Sequence, residues 1–107
     1  LSVNESYSMD VDLIFKALSN PLRRQVLQWL KYPEQYFAID QGQDFQRGVC
    51  AGHIERLGNV SQSTMSNHLS ILQQAGLVSV QKHGQWCYFS RNDELIQQYI
   101  KHVQETL

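Results

Sequence analysis

SQSTMSNHLSILQQAGLVSVQKHGQWCYF, residues 61–89, reads as a capped helix, a tight break and a two-stranded ribbon. Ser61 suits an N-cap, because a hydroxyl there accepts one of the N–H groups that a helix start leaves open. Met65, Leu69, Leu72 and Ala75 then recur close to the 3.6-residue period of a half-buried helix. Gly76 stops the run. Leu77, Val78 and Val80 favour extended chain, and His83-Gly84-Gln85 supplies a turn before 86–89 returns. A polar-faced helix followed by a hairpin with a cationic tip is the layout of a winged helix-turn-helix, which sets its helix in the major groove of DNA. The expected fold is therefore mainly α with a small β-hairpin wing (α+β).

Working outward, Val11, Ile14, Phe15 and Leu18 predict a first amphipathic helix. Asn20 can cap a second, with Pro21 at the first helical position, where no N–H is needed. Val26, Leu27 and Leu30 give that helix its buried face, with Arg23, Arg24 and Gln28 outside. Residues 31–49 are irregular and hold Tyr32, Tyr36, Phe37 and Phe45. Those rings need something to pack on, so a partly ordered loop with a helical turn near 33–37 is expected. Residues 50–57 predict a short third helix, and Gly58-Asn59-Val60 the turn into the recognition helix. Asp93 helps to open a last helix whose apolar stripe, Leu95, Ile96, Tyr99, Ile100 and Val103, is wide enough to want a partner helix from a second subunit.

At 107 residues the chain suits one domain, with a flexible N-terminus at 1–8 and the winged unit over 9–107. No stretch approaches the roughly eighteen apolar residues of a membrane helix, and the start lacks a signal peptide's pattern. A cytoplasmic protein with no membrane partner is expected. The chain starts at Leu1 rather than Met, which suggests a trimmed product. Cys50 and Cys87 cannot build a disulfide scaffold and match neither a CxxC motif nor a zinc ribbon. A net charge of −1 argues against nucleic acid at first. Its distribution reverses that: no Asp or Glu lies between Ser61 and Asn92, where Lys82 and Arg91 are cationic and His68 and His83 can become so. The patch is mildly basic, so a dimer is needed to double the footprint.

ALSNPLRRQVLQWL (17–30) resembles the opening signature of the arsenic-repressor-like (ArsR/SmtB) transcription regulators. SQSTMSNHLSILQQAGLV (61–78) resembles their recognition helix and HGQWCYF (83–89) their wing; together these span about residues 10–100. The resemblance implies a cytoplasmic homodimeric repressor, dimerising through first and last helices, that binds a palindromic operator and is released by an inducer. The chain departs from the family in its long connection between second and third helices, about nineteen residues at 31–49.

The expected DNA-binding residues are Ser61, Gln62, Ser63, Thr64, Ser66, Asn67 and His68 on the recognition helix, and Lys82, His83 and Gln85 at the wing tip. Ser63, Asn67 and Ser70 share a face, and short polar groups at a helix start can bond phosphates and base edges. His68 touches the DNA backbone or packs within the helix-turn-helix. Arg91 is a further backbone candidate.

In metal-sensing relatives the third helix carries a Cys-x-Cys or Cys-x-Gly-Asp motif, and CAGHI (50–54) lies there. Cys50 and His53 could reach one ion, but two ligands do not make a tight site, so no cofactor is expected beyond a possible metal ion. The last-helix site of other relatives looks broken: Asp93 remains, Leu95 and Thr106 replace histidines, and His102 and Glu105 are displaced by a turn. Thiol sensing by Cys50 and Cys87 is the rival, and Cys87 could equally fill the core beneath the hairpin. A protein-binding winged helix is a third reading, disfavoured by the acid-free window. No catalytic residue is assigned, because Cys50 and His53 lack an orienting acid and an oxyanion turn.

Overall fold

The computed structural model describes residues 9–37 and 45–107. The expected flexible N-terminus at 1–8 lies outside them. In chain order the elements are α1 (Val11–Leu18), α2 (Pro21–Lys31), α3 (Pro33–Phe37), β1 (Val49–Cys50), α4 (Ala51–Gly58), α5 (Gln62–Gln74), β2 (Val78–His83), β3 (Trp86–Arg91) and α6 (Asp93–Thr106).

The helix starts follow the expected chemistry. Asp10 caps α1 by accepting the Leu13 N–H at 3.1 Å. Asn20 Oδ1 accepts from the Leu22 and Arg23 amides at 2.9 and 3.1 Å, with Pro21 opening α2. Ser61 Oγ accepts the Thr64 N–H at 3.1 Å, a cap of the kind worth about 1 kcal/mol. Asn59 takes the left-handed conformation that ends α4, and Gly76 (φ +82°) ends α5.

Between these caps the apolar stripes close one core. Ile14, Val26, Ile54, Met65, Leu72 and Leu77 are each at most 1% exposed. Trp29 is also buried, a position outside the periodic set read for α2. The aromatic connection packs in part as expected: Phe37 is buried, Tyr36 and Phe45 lie against the core, and Tyr32 stays exposed.

The sheet corrects the two-stranded expectation. It has three antiparallel strands in the order β1-β3-β2. Val49 pairs with Phe89 and Cys50 with Tyr88, so Cys50 closes a strand and caps α4 rather than opening it from within. Gly48 makes this possible. Its φ is +107°, and a Cβ there would lie 2.5 Å from the Phe89 carbonyl oxygen.

Asn92 fastens the end of the winged unit. Its Nδ2 donates to the Gly76 carbonyl at 3.0 Å, its N–H donates to the Leu77 carbonyl at 2.9 Å, and its Oδ1 accepts from Leu95 N–H at 3.2 Å. One side chain thus serves the exit of α5 and the entry of α6, and it, rather than Asp93, is the N-cap.

Candidate nucleic-acid interface

Burying Met65, Leu69 and Leu72 turns the rest of α5 outward. Gln62, Ser63, Thr64, Ser66, Asn67 and Ser70 are all exposed. Gln62, Ser63, Ser66 and Ser70 line one open groove of about 480 Å³, continued by Gln73. Its far wall is Ala51 and Glu55 of α4 with Cys87 and Phe89 of β3. The face read from sequence as Ser63, Asn67 and Ser70 is thus split, since Asn67 is not part of this wall. Gln73 belongs to it, and its spacing of eleven residues from Gln62 was the available signal.

Ser61 holds the helix start rather than reaching out freely. Besides its cap bond, its hydroxyl donates to Thr64 Oγ1 at 2.9 Å and lies 3.3 Å from Ser63 Oγ. At the wing tip Lys82 and Gln85 are exposed, and Gly84 turns the chain at φ +63°. The His83 ring packs edge-on against Tyr88 at 5.9 Å. Trp86 stands 53% exposed beside them, a large aromatic face that the strand pattern alone did not mark out.

His68 is drawn inward. Its Nδ1 lies 3.0 Å from Arg23 Nη1, and a guanidinium only donates, so this nitrogen accepts and the ring is neutral. Arg23 also gives its Nε to the Ala17 carbonyl at 2.8 Å and Nη2 to the Lys16 carbonyl at 3.2 Å. Read from sequence as an outward residue, Arg23 is half-buried and ties the end of α1 to α5. Helical period does not reveal this, because a long side chain can fold back along its own helix.

Burial, and then the Arg23 charge, hold the His68 pKa below its usual 6.5. The unfolded chain therefore binds more protons between the lowered value and 6.5. The stability His68 contributes is complete above 6.5 and is lost as pH falls through the folded value. Urea melts of the protein and of His68→Gln should diverge on that acid side, with the parent losing stability more steeply; identical slopes would exclude this role.

Arg91, a sequence candidate for the DNA backbone, pairs with a carboxylate two residues along. Its side chain is 13% exposed and its Nε donates to Asp93 Oδ1 at 2.9 Å. The sheet pairing sets Cys50 and Cys87 on adjacent strands. Cys50 stands opposite Tyr88, so Cys87 is one position off, and alternate strand residues leave opposite faces. Both cysteines are free thiols. Among the described residues no three His, Cys, Asp or Glu side chains converge, and Asp93 is engaged by Arg91. No helix among the described residues is long and apolar enough to cross a membrane.

Comparison with known proteins gives one consistent relationship. Residues 47–80 match the family profile described as bacterial regulatory protein, arsR family. The chain is 44% identical over 84 residues to the uncharacterized HTH-type transcriptional regulator YbzH of Bacillus subtilis (strain 168), covering 78% of this chain and 84% of that protein. It is 37% identical over 87 residues to the transcriptional repressor SdpR of the same organism, covering 81% of each. The crystal structure of an ArsR family transcriptional regulator, RHA00566, shares the fold with a TM-score of 0.63 at 19% identity, covering 89% of this chain and 87% of that one. These relatives are transcriptional regulators, not enzymes.

Proposed function

The chain belongs to the arsR family of bacterial transcriptional regulators, and we propose that it acts as a cytoplasmic homodimeric repressor that binds an inverted-repeat operator and is released by an inducer. The observation that carries this reading is the exposed polar row from Gln62 through Ser66 to Ser70 on a capped helix. No carboxylate occurs in sequence from Ser61 to Asn92.

In this reading the first turns of α5 enter the major groove. Gln62 can pair bidentately with adenine, while Ser63, Thr64, Ser66 and Asn67 bond base edges or phosphates. Ser61 sets the helix start and His68 its seating on Arg23. Lys82, His83 and Gln85 grip the neighbouring backbone. A dimer presents two such helices, so the half-sites should repeat about 34 Å apart or at a multiple of that spacing. Glu55 in the groove wall opposes phosphate there, which favours base-edge contact over backbone contact on that side.

Fluorescence anisotropy on an inverted-repeat duplex tests this. Gln62→Ala and Ser63→Ala should each weaken binding by about tenfold, with thermal melts unchanged because both side chains are exposed. Affinity should also fall steeply with added salt through counterion release. Binding that ignores both the substitutions and the salt would reject operator recognition by this face.

A further inference from the structure

We infer that the cavity between α2, the last turn of α1 and the end of β3 binds a small organic anion, a carboxylate or phosphate on an apolar body. The cavity is a shallow, open hollow of about 460 Å³. It lies apart from the groove beside α5, sharing none of its lining residues.

Three cations face it: Arg24, Lys31 and Arg91. Among the described residues no carboxylate lines it. Asp93, outside the lining, pairs with Arg91, and among the described residues Arg24 and Lys31 have no carboxylate in ion-pair contact. Like charges gathered around one hollow repel, and an anion placed between them relieves that repulsion.

The guanidinium groups are already held. Arg24 Nη1 donates to the Leu18 carbonyl at 2.7 Å, and Arg91 Nε donates to Asp93 at 2.9 Å. Each bond fixes the planar fork and leaves other N–H groups for an oxyanion, the geometry that carboxylates and phosphates accept bidentately. Lys31 Nζ sits 5.5 Å from the centroid of the Tyr32 ring, which is 47% exposed. Leu18, Leu27 and this ring supply the apolar contact that calls for a body behind the charged head.

The position gives the ligand a use. Arg91 immediately precedes Asn92, the residue that joins the exit of α5 to the entry of α6. An anion drawing Arg91 towards α2 would pull on that joint. The inducer would then be such an anion; this role rests on the repressor reading, whereas the binding itself does not.

The test uses the full chain with benzoate and phenyl phosphate as anionic probes and benzyl alcohol as a neutral probe of similar shape, followed by ¹H–¹⁵N NMR without DNA. At least one anion should give saturable shifts at the amides of Arg24, Leu27, Tyr32 and Arg91. Arg24→Gln and Lys31→Gln, both at exposed positions, should each weaken that binding about tenfold while leaving the rest of the spectrum in place. Equal response to benzyl alcohol, unsaturable shifts spread over all basic residues, or undiminished binding by both variants would overturn the site. Adding the bound anion to the operator complex should then release DNA. Persistence of that complex removes the inducer role, and a chain that never binds the operator refutes the repressor reading while leaving the NMR result intact.

Discussion

Ile100→Glu is expected to convert the proposed homodimer to monomers and to weaken operator binding by about 100-fold or more, since two linked half-sites lose their avidity. The expectation comes from the apolar residues that α1 and α6 leave exposed. Ile100 is 42% exposed, Leu13 40% and Phe15 45%. Phe15 on α1 meets Tyr99 on α6 edge to face, with ring centroids 5.6 Å apart, so the two helices present a shared apolar strip. Burial raises the Tyr99 pKa, consistent with a phenol already partly inside that strip. A carboxylate at position 100 would be desolvated by a partner helix and is tolerated by water. The monomer should therefore remain folded, with an unchanged circular dichroism spectrum, while sedimentation velocity reports half the mass. A variant that stays dimeric would place the interface elsewhere.

Gly48→Ala should destabilise the fold by roughly 2–4 kcal/mol, one of the larger effects open to a one-carbon change. Two penalties act together. A φ of +107° is strained for any residue with a Cβ, and the added carbon would meet the Phe89 carbonyl carbon and oxygen at 2.8 and 2.5 Å. Those are backbone atoms in the central strand, so they cannot swing aside. The chain would have to release the pairing of Val49 with Phe89, and with it the buried Val49 side chain. Gly84→Ala is the control, since nothing lies within 4 Å of a Cβ there, although its φ of +63° still carries a backbone penalty. Chemical denaturation of the two variants measures the difference, and equal loss in both would show that steric approach at Gly48 contributes nothing.

What the sequence revealed follows from the range of the physics involved. Helix α5 and the wing were legible because caps, period and turn residues act within a few positions. The same holds for Asn20 and Pro21 at the start of α2, and for the turn at 33–37. Strand β1 was hidden because two residues cannot display an alternation, and its partner lies forty positions away at Phe89. Arg23 was misread as lying outside, because a pattern of faces does not say where a long side chain ends. For the recognition helix the exposed polar residues were readable, whereas the groove they border needs α4 and β3 in place. The cationic hollow joins residues from Leu18 to Arg91, a grouping with no local signature at all.

The triple bonding of Asn92 has a mechanical meaning. Because a single amide side chain and its own backbone grip the carbonyls after α5 and the Leu95 N–H in the first turn of α6, the two helices meet at a short coupling rather than a slack tether. Any swivel of the terminal helix against a neighbouring subunit is thereby delivered to the tail of α5, without first being dissipated along a connecting loop.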